Sequence, residues 1–156
     1  MLRKLFLFLV VVLIVIQFLH PAKNNSMNNP NDIATVFPVP DSVQQILKKA
    51  CNDCHSNYTV YPWYSRVQPV AWWLNNHIEE GKHHLNFSEF AKYTPKKQAH
   101  KLHEVAEIIQ ENEMPLGSYT LIHKEARLSE AEKLLLINWA KNLSVQINPN
   151  QTEEKH

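Results

Sequence analysis

An all-α fold is predicted by three observations. The 156-residue chain holds two glycines against nine prolines, and the prolines sit at segment edges, as they do where stiff loops join helices. Capping residues repeatedly precede stretches with apolar residues at i, i+3 and i+4. No convincing strand pattern is found. The length fits one domain with appendages. Net charge is +1, which leaves no basic footprint for nucleic acid, so none is expected as a partner.

Each element follows in chain order. In residues 1–20, Arg3 and Lys4 precede the run "LFLFLVVVLIVIQFL", interrupted only by Gln17. A basic start and an apolar run make an export signal. No small-x-small cleavage site follows, so the segment is read as an uncleaved, single-pass signal anchor. It is short against the roughly 20 residues that cover a bilayer core; Leu2, His20 and a snorkelling Lys4 lengthen it. The basic end stays in the cytoplasm, which puts the body on the other, periplasmic side. Residues 21–40, "PAKNNSMNNPNDIATVFPVP", read as a flexible tether, with 33–39 extended against the domain.

The folded body is expected over 41–143. Asp41 or Ser42 caps a first helix with Val43, Ile46, Leu47 and Ala50 on one face. Pro69 opens a second, with Val70, Trp73, Leu74, His77 and Ile78 on one stripe and Gly81 near its end. Asn86 or Ser88 caps a short piece. Thr94 followed by Pro95 starts another helix, striped by Leu102, Val105, Ala106 and Ile109. Pro115 and Gly117 then break the pattern. Ser129 and Glu132 form a capping box for a last helix that buries Leu134, Leu135 and Asn138 or Trp139. Residues 144–156 are a polar, loose tail.

The chemistry gathers at "CNDCH", which holds the chain's only two cysteines, Cys51 and Cys54, with His55 directly behind. Cys-x-x-Cys-His is the c-type haem attachment signature. Each thiol adds across one vinyl group of the porphyrin, and His55 then supplies the proximal imidazole to iron. One covalent haem c is therefore expected, which brings cytochrome c maturation machinery as a partner. A disulfide between the two cysteines is an alternative in an exported protein. A thioredoxin-like pair needs a strand before the motif, where a helix is predicted. A zinc site needs two further ligands, and His100 and His103 are spaced wrongly and lie far along the chain.

For the iron's other face the leading candidate is Met114, the only methionine within 41–143, standing in a loop that Pro115 stiffens. Its bland alternative is a gap-filling core methionine. His77 is the rival, pointing inward with the apolar stripe; His84 and His123 are weaker ones. His83, His100, His103 and His156 read as solvated. Among the aromatics, Trp63, Tyr64 and Trp73 are expected in a haem pocket, where an apolar plate is buried at roughly 25 cal/mol per Å². Arg66 is expected to pair with a propionate or to be an ordinary surface arginine.

The motifs "CNDCHSN", "YPWYS", "QPVAWWL", "HIEEGKHHLNFSEF", "EMPLGSYTLIHKEARLSEAE" and "INWA" run in order through residues 41–140. Together they resemble the bacterial haem-binding domain family of small cytochrome c-like proteins. That resemblance implies covalent haem c, an export-side location and electron transfer, and names no substrate. Gly117 and Lys124 stand where prolines are expected. The chain order is similar to the cytochrome c arrangement, in which Val43 and Leu47 of the first helix meet Leu135 and Trp139 of the last. The expected function is a non-enzymatic carrier, a membrane-tethered monohaem cytochrome passing single electrons between exported or membrane redox proteins. The alternative is a haem peroxidase or a gas or redox sensor with an open or displaceable distal ligand.

Overall fold

The computed structural model describes residues 1–148. Among them the chain forms α-helices, short 3-10 turns and no strand; the sole β pairing is an isolated antiparallel bridge between Asn25 and Tyr58. The first helix, α1 (Leu2–Ile16), buries no residue. It is followed by turns in which the Gln17, Phe18 and Leu19 amides donate three residues back. Among the described residues no helix is long and apolar enough to cross a membrane. At the helix end the Gln17 side chain donates back to the Leu13 carbonyl at 2.9 Å and also pairs with the Gln68 backbone, donating to that carbonyl at 3.2 Å and accepting from that amide at 2.9 Å.

The segment 21–40 is fastened along most of its length, unlike the slack tether expected. Ser26 donates to the Asn57 carbonyl and Thr59 to that of Asn24. The Asn24 side chain donates to the Ser56 carbonyl at 2.8 Å and to Thr59 Oγ1 at 2.9 Å. Residues expected to lie extended instead form a single turn, α2 (Ile33–Val36), because Asp32 caps it by accepting from the Ala34 amide. Ile33 and Val39 enter the core. Asn24 thus fastens the segment through specific backbone and side-chain pairing, while Asn25 and Asn28 stay exposed.

The body follows its predicted punctuation, with instructive exceptions. The third helix, α3 (Asp41–Ala50), has Pro40 at its N-cap and no side-chain cap, so neither Asp41 nor Ser42 serves as one. It buries Val43, Ile46 and Leu47. Cys51 interrupts the path before the short α4 (Asn52–His55). A 3-10 turn (Trp63–Arg66) leads through Pro69 into α5 (Val70–His84). Asn86 caps the 3-10 segment Phe87–Lys92. Thr94 caps α6 (Pro95–Gln110), whose buried face includes Leu102, Ala106 and Ile109. After α7 (Gly117–Ile122) and a 3-10 turn (Lys124–Ala126), α8 (Glu130–Ile147) opens with the expected Ser129–Glu132 box.

The last helix is rotated relative to expectation. It buries Leu136, Ile137, Trp139, Ala140 and Leu143, while Leu134 and Leu135 face solvent. The run "LLLI" gives helical periodicity no single phase, and packing against α6 picks one. That α6–α8 pair is the most extensive helix contact; α3 meets α8 more narrowly. Val43, Leu47 and Trp139 still share one core with Phe90, Leu102 and Leu136. The helix also continues to Ile147, into the expected tail. Residues 149–156 of that tail, with His156, lie outside the described residues.

Lys49 joins α3 to the start of α8 through a 2.6 Å contact with Glu132. That bond, with the Ser129 amide, holds the Glu132 carboxyl down at about 2, below its ordinary 4.5. A carboxylate with a depressed folded pKa stabilises above its unfolded value and loses that contribution as pH falls through the folded one. Glu132→Gln is therefore expected to cost about 1 kcal/mol at neutral pH, the usual scale for a cap. Urea midpoints for variant and parent should converge between pH 4.5 and 2.

Candidate functional site

The site is built on one helical turn. The Cys51 amide still donates to Leu47 of α3, while its own carbonyl accepts from Cys54 at 3.1 Å and from His55 at 2.9 Å. Cys51 and Cys54 thus face one another across a single turn, and both are free thiols rather than a disulfide. Burial, and then the charge each neighbour would carry, pushes Cys51 up to about 12 and Cys54 to about 11. Both stay protonated at neutral pH. A thioredoxin-like pair works the other way, with its attacking thiol pulled down. The zinc alternative finds no support either: among the described residues no three His, Cys, Asp or Glu side chains gather as a metal site.

His55 is oriented for ligation. Its Nδ1 lies 2.9 Å from the Leu85 carbonyl, which can only accept, so Nδ1 carries the proton and Nε2 the lone pair. Burial lowers its pKa, against backbone hydrogen bonds that raise it. The imidazole is therefore neutral, as a metal ligand must be. A carbonyl behind a ligating histidine fixes ring orientation and strengthens its basicity.

Two neighbouring elements hold this turn. A Cβ on Gly81 of α5 would stand 2.6 Å from the Cys54 carbonyl oxygen and 3.1 Å from the Cys54 Cβ. Only glycine lets α5 lie this close, and the same helix ends by delivering Leu85. From the other side, Asp53 accepts from the Val60 amide at 2.9 Å and from the Tyr119 hydroxyl at 2.7 Å. Asn57 donates to Glu89, accepts from Asn86, and its amide meets Ser88 Oγ. Asp53 inside the motif and Asn57 just behind it thus tie the turn to the following loop, to α7 and to the segment 86–89.

The remaining candidates scatter. Met114 is half-buried and packs, like Cys51, against the main core. His77 does not point inward: it is half-exposed, its Nδ1 donates to the Trp73 carbonyl at 3.0 Å and its ring lies 4.3 Å from the Trp73 ring. The buried face of α5 is Ala71, Leu74 and Ile78 instead, and Val70 and Trp73 face outward. Tyr64 is half-buried with its hydroxyl 2.6 Å from His123 Nε2. His123 also stacks on Tyr119 at 4.4 Å and meets Glu125 at 3.1 Å. Arg66 is exposed, and Trp63 keeps 80% of its surface. His83 and His84 are exposed and touch one another. His100 and His103 pair with Glu104 and Glu107 one turn on.

Gly81, Leu85, Asn57, Asn86, Tyr119 and Asp53 carry site roles that sequence reasoning missed. A lone glycine inside a helix pattern was the one signal on hand. A cavity of about 390 Å³ between α2 and α3 takes in neither cysteine nor His55, so the donor set, not a cavity, identifies the site. That set fits a haem: two protonated thiols one turn apart and a neutral imidazole with its Nε2 unclaimed by its own backing bond.

No curated protein and no solved structure matches the chain. The family model described as a haem-binding domain matches residues 11–142. Running from within α1 to within α8 and taking in this donor set, that match means that the chain belongs to the haem-binding domain family.

Proposed function

We propose that the protein is a membrane-tethered monohaem cytochrome that carries single electrons between exported or membrane redox proteins. The observation that carries this reading is the His55–Leu85 contact beside two free thiols, which puts the ring proton on Nδ1 and the lone pair that binds iron on Nε2. Cys51 and Cys54 would hold a haem c through their sulfurs, and His55 would bind its iron through Nε2. Met114, in the α6–α7 loop, would supply a second protein ligand to the iron. Haem iron held by two protein groups changes by one electron with little rearrangement. Around it the chain's own residues hold the turn in place: Gly81 admits α5 and Asp53 binds Tyr119, and the order of elements supports a cytochrome c-like arrangement. The apolar, unburied α1 supports a single anchor with the body on the periplasmic side.

Expression with cytochrome c maturation proteins should yield a chain heavier by one haem, with a pyridine haemochrome of the c type. Cys51→Ala and Cys54→Ala should each remove covalent attachment at that thiol. A mature chain with the bare polypeptide mass and no Soret absorbance would overturn the reading. The Tyr64–His123–Glu125 chain favours a second reading, a peroxidase or sensor, since it offers a polar relay. Immediate cyanide binding by a high-spin oxidised protein would select that reading instead.

A further inference from the structure

Gln68 is 1% exposed, and its polar groups all engage the exit of α1 or the start of α5. Its Nε2 donates to the Leu19 carbonyl at 2.6 Å, its Oε1 accepts from the Trp72 amide at 3.3 Å, and its backbone pairs with the Gln17 side chain. The Trp72 indole donates to the same Leu19 carbonyl at 3.0 Å. A buried amide satisfied this fully holds its partners in place. The end of α1 is therefore part of the fold, not a hinge above it.

What surrounds that exit has a definite order. Flanking Gln68 and Leu19 are Phe18, Val67, Val70 and Trp72, with 81%, 44%, 37% and 39% of their surfaces exposed. Just beyond, His20, Lys23 and Arg66 line one cavity of about 260 Å³. Residues 1–31 and 54–78, which meet here, contain no aspartate or glutamate. From α1 outward the sequence of chemistry is apolar helix, apolar and aromatic collar, then cations. A bilayer runs through the same order from hydrocarbon to headgroup phosphate. The helix is also short: 15 residues at about 1.5 Å each reach some 22 Å, against a hydrocarbon core of about 30 Å. A collar sunk into the interface makes good part of that shortfall.

We propose that the face around Gln68 is a membrane-docking surface: Val67, Val70 and Trp72 enter the lipid interface while His20, Lys23 and Arg66 meet anionic headgroups. It rests on the reading of α1 as an anchor. The test uses the full-length chain in nanodiscs of phosphatidylcholine with or without phosphatidylglycerol. Benzoylphenylalanine is introduced at Val67, at Val70 and, as a distant control, at the exposed Leu134 of α8. Lipid adducts read by mass should exceed the control at least tenfold at both collar positions. Gln68→Ala should lower them without changing disc incorporation, helicity by circular dichroism reporting that the variant is folded. Lys23→Glu with Arg66→Glu should abolish any gain from phosphatidylglycerol. Adducts no greater than at Leu134 in a chain that remains in the disc would overturn the docking surface and leave the anchor standing. Crosslinks to a second copy would overturn it in favour of a self-interface. A chain that never enters the disc would remove both.

Discussion

Gly81→Ala is expected to destabilise the protein and to leave most of the chain without haem. Ordinarily this change inside a helix stabilises by up to about 1 kcal/mol. Here the new methyl would collide with backbone, at 2.6 Å from the Cys54 carbonyl oxygen, and backbone cannot rotate aside as a side-chain tip can. Either α5 retreats or the Cys51–His55 turn unwinds. Overpacking of this kind costs about 1–3 kcal/mol. Retreat also withdraws the Leu85 carbonyl from His55 Nδ1, so the imidazole loses its fixed tautomer. The control is Gly117→Ala, where a Cβ meets nothing within 4 Å; it should be neutral or slightly stabilising. Urea midpoints and haemochrome per polypeptide check both. Full loading of Gly81→Ala at unchanged stability would show that α5 does not set the haem turn.

Met114→Ala is expected to convert an oxidised low-spin protein to high spin and to erase the weak far-red sulfur-to-iron band. His77→Ala should change neither. The two side chains stand differently: Met114 is half-buried against the core that also receives Cys51, whereas His77 is engaged with Trp73 on its own helix. Losing a thioether also lowers the reduction potential, since methionine ligation holds haem high. The packing lost is about 2 kcal/mol, the lower end for a truncated methionine, so the variant stays folded and its spectrum is interpretable. Low spin lost in His77→Ala and kept in Met114→Ala would reverse the assignment.

Elements with a chemical start signal were legible from the sequence. Thr94–Pro95, Ser129–Glu132 and Asn86 each cap what they were expected to cap, because a side chain and a backbone amide a few residues apart settle the geometry locally. Phase was legible on α6, where polar residues separate the apolar ones, and not on α8, where four adjacent apolar residues fit several rotations. On α5 the stripe through Val70, Trp73 and His77 was equally regular, yet Gly81 rotated the helix toward Cys54. The roles proposed for the thiols and His55 rest on spacing, which a sequence displays directly. Their structural support was not legible: Leu85 acts through a carbonyl, which any residue has, Asn57 acts across 29 to 32 positions of chain, and Tyr119 reaches Asp53 across 66. Asn24, Asn25 and Asn31 looked like solvated linker because their partners, at 56–59 and at Ala91, lie equally far away in sequence.

The pairing of residues 24–26 with 57–59 changes what the molecule can reach. A slack line of about 20 residues would let its cargo wander some 25 Å. With α1 as the anchor proposed above, this pinning would hold the domain at one altitude and one tilt, so that a partner would have to come to it and collisions from most directions would be ruled out by geometry rather than by affinity.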